Sequence, residues 1–214
     1  ADTTKATVVT QTTTGSYGTF AIDASGAWTY TTSSALNQLD AGQAVTDTFT
    51  VTTSEGGTAT VTINLTGTND IATLSSDAKA LTESDAILST GGTLTLNDLD
   101  TTKATVVAQT GTEGSYGTFA INAAGVWTYT TSDALNPLDA DQVVIETFTV
   151  ATSDGGFASV TVTITGANDT PTLTSETREL TETDTVLTTG GNLVVSDADT
   201  TKATVVTQTT TGSY

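Results

Sequence analysis

Aspartates two residues apart are the groups in this sequence best placed to do chemistry. Asp98-Leu99-Asp100 returns as Asp197-Ala198-Asp199, and Leu138-Asp139-Ala140-Asp141 and Gly166-Ala167-Asn168-Asp169 add further acids in short turn-like segments. Alternate residues on extended backbone point the same way, so an Asp-x-Asp pair can aim two carboxylates at one ion. Calcium takes about six to eight oxygens from carboxylates, amide carbonyls and backbone carbonyls, and these segments offer that ligand set. Asp and Asn also shape turns unaided, so solvated turn acids account for the same spacing equally well.

Other chemistries lack their residues. The chain has no Cys, His or Met. Zinc, haem, iron–sulfur and thiol chemistry therefore lose their usual ligands, and a Ser-His-Asp or Cys-His nucleophile is impossible. Carboxylate pairs leave glycosidase chemistry open to composition alone, but nothing else in the sequence points to an enzyme. The formal charge is −19, from 24 acidic and 5 basic residues. So few cations cannot neutralise phosphates, which excludes nucleic acid and anionic membrane surfaces as partners. No apolar run approaches the ~18 residues of a membrane helix, and no signal pattern opens the chain. The first residues fall in the middle of a recurring pattern, so the sequence reads as an excerpt of a longer one. Without disulfides, such a chain needs another stiffening device.

The elements that must position the acids are strands, and a repeat reveals them. Gly15-Ser16-Tyr17-Gly18-Thr19-Phe20 returns 99 positions later as Gly114-Ser115-Tyr116-Gly117-Thr118-Phe119. Trp28-Thr29-Tyr30 returns as Trp127-Thr128-Tyr129, Thr48-Phe49-Thr50-Val51 as Thr147-Phe148-Thr149-Val150, and Leu81-Thr82-Glu83 as Leu180-Thr181-Glu182. Residues 1–17 are identical to residues 198–214, so a two-repeat block of 197 residues stands above the single repeat. Period-2 alternation runs through Thr93–Leu96, Thr105–Val107, Thr118–Ile121, Val126–Thr130, Thr147–Val150 and Val160–Ile164, with Thr on the polar face. Gly91-Gly92, Asn122–Gly125 and Asp154–Gly156 break the runs, and Ser132–Gln142 reads as a short helical interruption. About seven short strands per ~100 residues predict an all-β fold of tandem immunoglobulin-like sandwiches. Trp28, Trp127, Phe119, Tyr129 and Phe148 are expected to fill the space between sheets.

The register gives three segments: residues 1–70, a sandwich repeat lacking its opening strands; residues 71–169, a complete repeat; and residues 170–214, the opening strands of a third. The partial repeats are expected to expose strand edges and apolar faces. Residues 170–197 could complete residues 1–70 of another copy, but the identical 17-residue segments would then compete for one strand position. That conflict favours a longer continuous chain. Lys103, repeated as Lys5 and Lys202, lies beside the acidic turn; an isopeptide crosslink is conceivable there, and an ordinary surface ion pair is the reading favoured.

The segment from Gly114 to Asp169 resembles the VCBS repeat of giant bacterial adhesins, a cadherin-like module. The resemblance rests on the Tyr116-Gly117-Thr118 strand, Gly125-x-Trp127-Thr128-Tyr129, Glu146-Thr147-Phe148-Thr149-Val150 with Ser153-Asp154-Gly155-Gly156, and the closing Thr165-Gly166-x-Asn168-Asp169. It implies secretion to the bacterial cell surface and an extender role that holds an adhesive tip away from the cell. It also implies calcium ligands at inter-repeat junctions: Glu83, Asp139, Asp141, Asn168, Asp169, Asp197 and Asp199 at the second, and Asp40, Asn69, Asp70, Asp98, Asp100 and Asp154 at the first. Gly42 stands where the second acid of the Leu39-Asp40 segment would be, and the linker lacks the flanking Asp and Asn of cadherins, which weakens the first junction. The alternatives are a subunit of a self-assembling extracellular or biofilm filament, with other copies as partners end to end or laterally, and a glycan-binding module.

Overall fold

The computed structural model describes residues 5–84 and 86–213. The described residues are all-β apart from two short 3-10 turns, Ser34–Gln38 and Asp133–Leu135. Each turn starts at a serine whose hydroxyl accepts a backbone N–H: Ser33 from Ala35 and Ser132 from Ala134. Such local caps are what Ser supplies at a break between strands.

The strands in chain order are β1 (Gln11–Thr14), β2 (Gly18–Ile22), β3 (Trp28–Thr32), β4 (Ala44–Thr52), β5 (Thr58–Thr66), β6 (Thr73–Leu74), β7 (Asp77–Thr82) and β8 (Ser89–Thr93). They continue with β9 (Leu96–Asn97), β10 (Gln109–Glu113), β11 (Gly117–Ile121), β12 (Val126–Thr131), β13 (Val143–Ala151), β14 (Phe157–Thr165), β15 (Thr172–Leu173) and β16 (Val195–Ser196). The chain forms two compact units. One takes the chain up to Leu74 with Thr95–Val106 and Ala151–Phe157; the other takes Ser75–Leu94, Val107–Val150 and the chain from Ala158 onward.

In the first unit β1, β2 and β3 form an antiparallel sheet, β4 and β5 a long hairpin, and β6 pairs with β9. The core is Phe20, Ile22, Phe49 and Val51, with Val8, Tyr30, Val61 and Ile63 packed against it. Phe20 stacks on Phe49 at 4.8 Å between ring centroids.

In the second unit the sheet order is β10-β11-β12-β8, and a further sheet has the order β13-β14-β7, with β7 parallel to β14. Phe119, Trp127, Tyr129, Val150, Val160, Val162 and Ile164 are all buried. Phe119 and Phe148 repeat the 4.8 Å stack. Each fully buried side chain of this kind contributes about 1.5–3 kcal/mol of burial free energy, so the alternation read from the sequence translates directly into the core.

The expectation that both tryptophans are core residues holds for Trp127, at 1% exposure, and fails for Trp28, at 48%. The physical reason is strand pairing. β12 carries β8 on its outer edge, with Trp127 opposite Gly92, whereas the sheet of β1, β2 and β3 ends at β3. With no strand paired on that side among the described residues, the Trp28 ring packs only partly, against Phe20 at 5.8 Å between ring centroids.

Candidate metal centre

The two Asp-x-Asp turns have one geometry, repeated. Asp98 spends both carboxylate oxygens on its own turn, accepting the N–H of Asp100 at 3.0 Å and of Ala104 at 2.5 Å. Asp197 accepts the N–H of Asp199 at 3.2 Å and of Ala203 at 2.6 Å. These are Asx-type turns, and their effect is to fold the second aspartate inward. Asp100 is 3% and Asp199 4% exposed. One oxygen of each accepts the N–H of the Asn-Asp segment: Asp100 from Asp70, and Asp199 from Asp169, both at 3.1 Å. The other oxygen, Oδ1 in each, is buried and meets no hydrogen-bond donor among the described residues.

Glu83 adds a third such group in the second unit. It follows β7, and its N–H donates to the Thr165 carbonyl at 2.8 Å, continuing the β7–β14 pairing by one residue. The side chain is 3% exposed; Oε2 accepts the Ala167 N–H at 3.1 Å, and Oε1 is buried with no donor. Ala167 and Asp169 are two residues apart, so the Glu83 and Asp199 carboxylates are tied to amides within about 7 Å along one backbone segment. In the first unit Asp100 and Asp70 repeat the arrangement of Asp199 and Asp169.

Two carboxylates with bare buried oxygens on one segment are costly as free anions, because burial strips them of water and their charges repel. The donors are all oxygen, the preference of a hard divalent cation such as calcium. The residues present therefore fit the ion, with Glu83 and Asp199 supplying bare oxygens and the half-buried Asp169 between them. Among the described residues, no three acidic side chains converge closely enough, as placed, to enclose an ion.

The remaining candidates are engaged in other ways. Asp40 accepts the N–H and hydroxyl of Thr102 at 2.7 and 2.8 Å, and Asp139 those of Thr201 at 2.7 and 2.9 Å. Thr102, through its backbone and then its side chain, holds the Asp40 carboxyl below its ordinary pKa. Asp154 accepts the Ala72 N–H at 2.6 Å and the Thr152 hydroxyl, and that hydroxyl is the main cause of its lowered pKa. Asn69, Asn168 and Asp141 are exposed, and the Asn168 amide donates to the Asp169 carbonyl at 2.7 Å. Asp141 has φ +64 and Gly42, at the matching place, φ +75. The Gly-for-Asp difference thus falls on a left-handed turn position that glycine occupies without steric cost. The Lys103 ammonium donates to the Asp98 carbonyl at 2.7 Å, and Lys202 to the Asp197 carbonyl at 2.6 Å. The nearest partner of each amine is thus a backbone oxygen.

One pair of polar sites was not singled out in the sequence. Glu146 on β13 takes the Tyr129 hydroxyl and the N–H groups of Ser115 and Tyr116, the latter at 3.1 Å. Asp47 on β4 takes the Tyr30 hydroxyl at 2.7 Å and the N–H groups of Ser16 and Tyr17, each at 3.0 Å. Each clamp pins a Gly-Ser-Tyr-Gly turn to the facing sheet. The signal was available: Asp47 and Glu146 sit in phase with the inward Phe49 and Phe148, so an acid occupies a core position of an alternating strand.

Residues 69–166 match the bacterial cadherin-like domain. No curated protein matches the chain. The matched segment takes in β6 to β14 and Glu83. Its last residue, Gly166, directly precedes the Ala167–Asp169 stretch to which the carboxylates are tied.

Proposed function

We propose that this chain is an extender segment of a large, repetitive bacterial cell-surface adhesin of the VCBS type, stiffened by calcium where successive repeats meet. Residues 1–70, 71–169 and 170–214 are then a repeat without its opening strands, a complete repeat and the opening of a third. The observation that carries the reading is the buried, donor-free oxygens of Glu83 and Asp199, whose partner oxygens bind one short backbone segment. Asp100 repeats the Asp199 arrangement in the first unit.

Glu83, Asp169 and Asp199 would hold the ion in the second unit, with Asp139, Asp141, Asn168 and Asp197 around them. Asp70 and Asp100 would do so in the first, with Asp40, Asn69, Asp98 and Asp154 in support. Calcium, when bound, supplies the positive charge that offsets carboxylate repulsion. The chain's own part is to fold the Asp-x-Asp turn inward, dock it on the Asn-Asp segment, and latch it through Thr102 on Asp40 and Thr201 on Asp139. Repeats that contact only their neighbours give length, and a stiff joint turns that length into reach.

Extracellular placement fits the cadherin-like match. No helix among the described residues is long and apolar enough to cross a membrane. The test is thermal melting and small-angle scattering of the chain with calcium and with chelator. Chelation is expected to lower the melting temperature and reduce the maximum dimension. Identical curves in both conditions would remove calcium from the account.

A further inference from the structure

In the second unit an early strand and a late strand run side by side in the same direction. β7 pairs with β14 in parallel over six residue pairs, from Asp77 with Val160 to Thr82 with Thr165. Side chains add a rung at each end. The Ser76 hydroxyl accepts the Ser159 N–H at 3.3 Å, and the Glu83 carboxylate accepts the Ala167 N–H at 3.1 Å. Glu83 also donates its own N–H to the Thr165 carbonyl at 2.8 Å. In a parallel ladder the next acceptor would be a main-chain carbonyl, so the Glu83 side chain carries the ladder past the end of β7.

The two strands are anchored differently. β14 lies between β13 and β7, and its Val160, Val162 and Ile164 side chains are fully buried. β7 is the edge of that sheet among the described residues, with Ala78 and Ala80 exposed. Its first residue is tied to the other sheet: Asp77 accepts the N–H of the buried Trp127 indole at 3.2 Å. Chain precedes β7 and chain follows β14, so any pull along the chain enters the ladder at Asp77 and leaves it beyond Thr165.

We propose that the β7–β14 ladder is a tension-bearing clamp. The proposal rests on the extender reading, in which load runs along the chain. Tension draws β7 towards its N-terminus and β14 towards its C-terminus. In parallel strands these pulls run along the strands in opposite senses, so every hydrogen bond between them is sheared at once. The bonds share the load and yield together. Antiparallel strands in the same place would be pulled apart from one end, one bond at a time. Asp77 on Trp127 fastens the end where load enters, and Glu83 on Ala167 fastens the end where it leaves. Forced unfolding follows the barrier and not the equilibrium stability, so the clamp resists pulling in a way that melting does not report.

The chain has no cysteine, so handles can be attached at chosen residues, and Ser75, Ser84 and Thr170 are all exposed. A Ser75→Cys/Thr170→Cys chain loads the ladder from opposite ends. A Ser84→Cys/Thr170→Cys chain loads the same end of both strands and peels them. Single-molecule pulling at one rate should give a several-fold higher unfolding force for the first pair. By alternation along the strand, the Lys79 N–H faces β14 as that of Glu83 does, and the Ala80 N–H faces away. Lys79→Pro should therefore lower the force of the first pair, and Ala80→Pro should leave it nearly unchanged. Equal forces in the two geometries, or equal losses from the two prolines, would overturn the proposal. The pulling is done in chelator, so its failure leaves the calcium reading intact, and a missing calcium response leaves the clamp intact.

Discussion

Trp28 and Trp127 begin the same Trp-Thr-Tyr strand in two copies of one repeat, and their surroundings diverge. Trp127 lies under β8 with its N–H on Asp77; Trp28 has one face bare. The acids follow the same division: Asp199 shares its backbone segment with Glu83, while Asp100 lacks that companion. Both differences trace to the strand pair Asp77–Thr82 and Ser89–Thr93, with Glu83 just beyond the first strand. A repeat is therefore not finished by its sandwich core alone. In the second unit these two strands cover Trp127, and Glu83 follows the first of them.

The largest effect should separate the tryptophans. Trp127→Ala, which empties a packed site, is expected to cost about 3–5 kcal/mol, and Trp28→Ala about 1 kcal/mol or less. Denaturant unfolding of the two variants checks this, and equal losses would mean the Trp28 edge is covered in solution. A smaller contrast is expected at the tyrosine clamps. Tyr129→Phe leaves the buried Glu146 short of a donor and should cost about 1–3 kcal/mol. Tyr30→Phe should cost less, because the Tyr30 ring is half-buried and within reach of water, whereas Tyr129 is fully buried. Melting temperatures of the two variants order the pair.

The smallest effect is acidic. Burial works against ionisation of Asp47, but the Tyr30 hydroxyl and the N–H groups of Tyr17, Ser16 and Gly18 outweigh it and hold the pKa below 3.8. A carboxyl with a depressed folded pKa stabilises above its unfolded value of ~3.9, and that stability is lost as pH falls through the folded value. Melting of the chain should therefore soften below about pH 4, less so in Asp47→Asn. The clamp weakens at the other extreme too. Burial and the Asp47 carboxylate push Tyr30 up to about 12. Its un-ionised form contributes fully below ~10, and that contribution fades as pH climbs toward the raised value.

Much of this was legible in the residues. The strands, the breaks at Asn122–Gly125 and Asp154–Gly156, and the helical interruption after Ser132 follow from alternation and turn chemistry. Leu94 shows the limit: the run Thr93–Leu96 reads as one strand, yet β8 ends with the Leu94 N–H on the Gly125 carbonyl and a separate strand begins at Leu96, with Leu94 buried between. The burial of Trp28 was misjudged because periodicity reports which face a side chain takes and is silent on whether a neighbouring strand is there to cover it. Asp-x-Asp spacing drew attention to the right turns but not to the division of labour within them. Asp98 and Asp197 shape the backbone, and Asp100 and Asp199 are turned inward. The Asp47 and Glu146 clamps went unnoticed because acids were sought at turns, not in the inward phase of a strand.

The central claim is that Glu83 and Asp199 are buried as carboxylates in order to hold a divalent ion. Its most direct test is calcium titration followed by thermal melting, comparing the unaltered chain with Glu83→Gln/Asp199→Asn. At a calcium concentration of about 100 times the dissociation constant, binding should add about 2.7 kcal/mol to the unaltered chain, a rise of several degrees, and little to the variant. In chelator the variant should melt at or above the unaltered chain, because neutral amides relieve the buried repulsion. Equal calcium responses in both chains, or none in either, would contradict the claim.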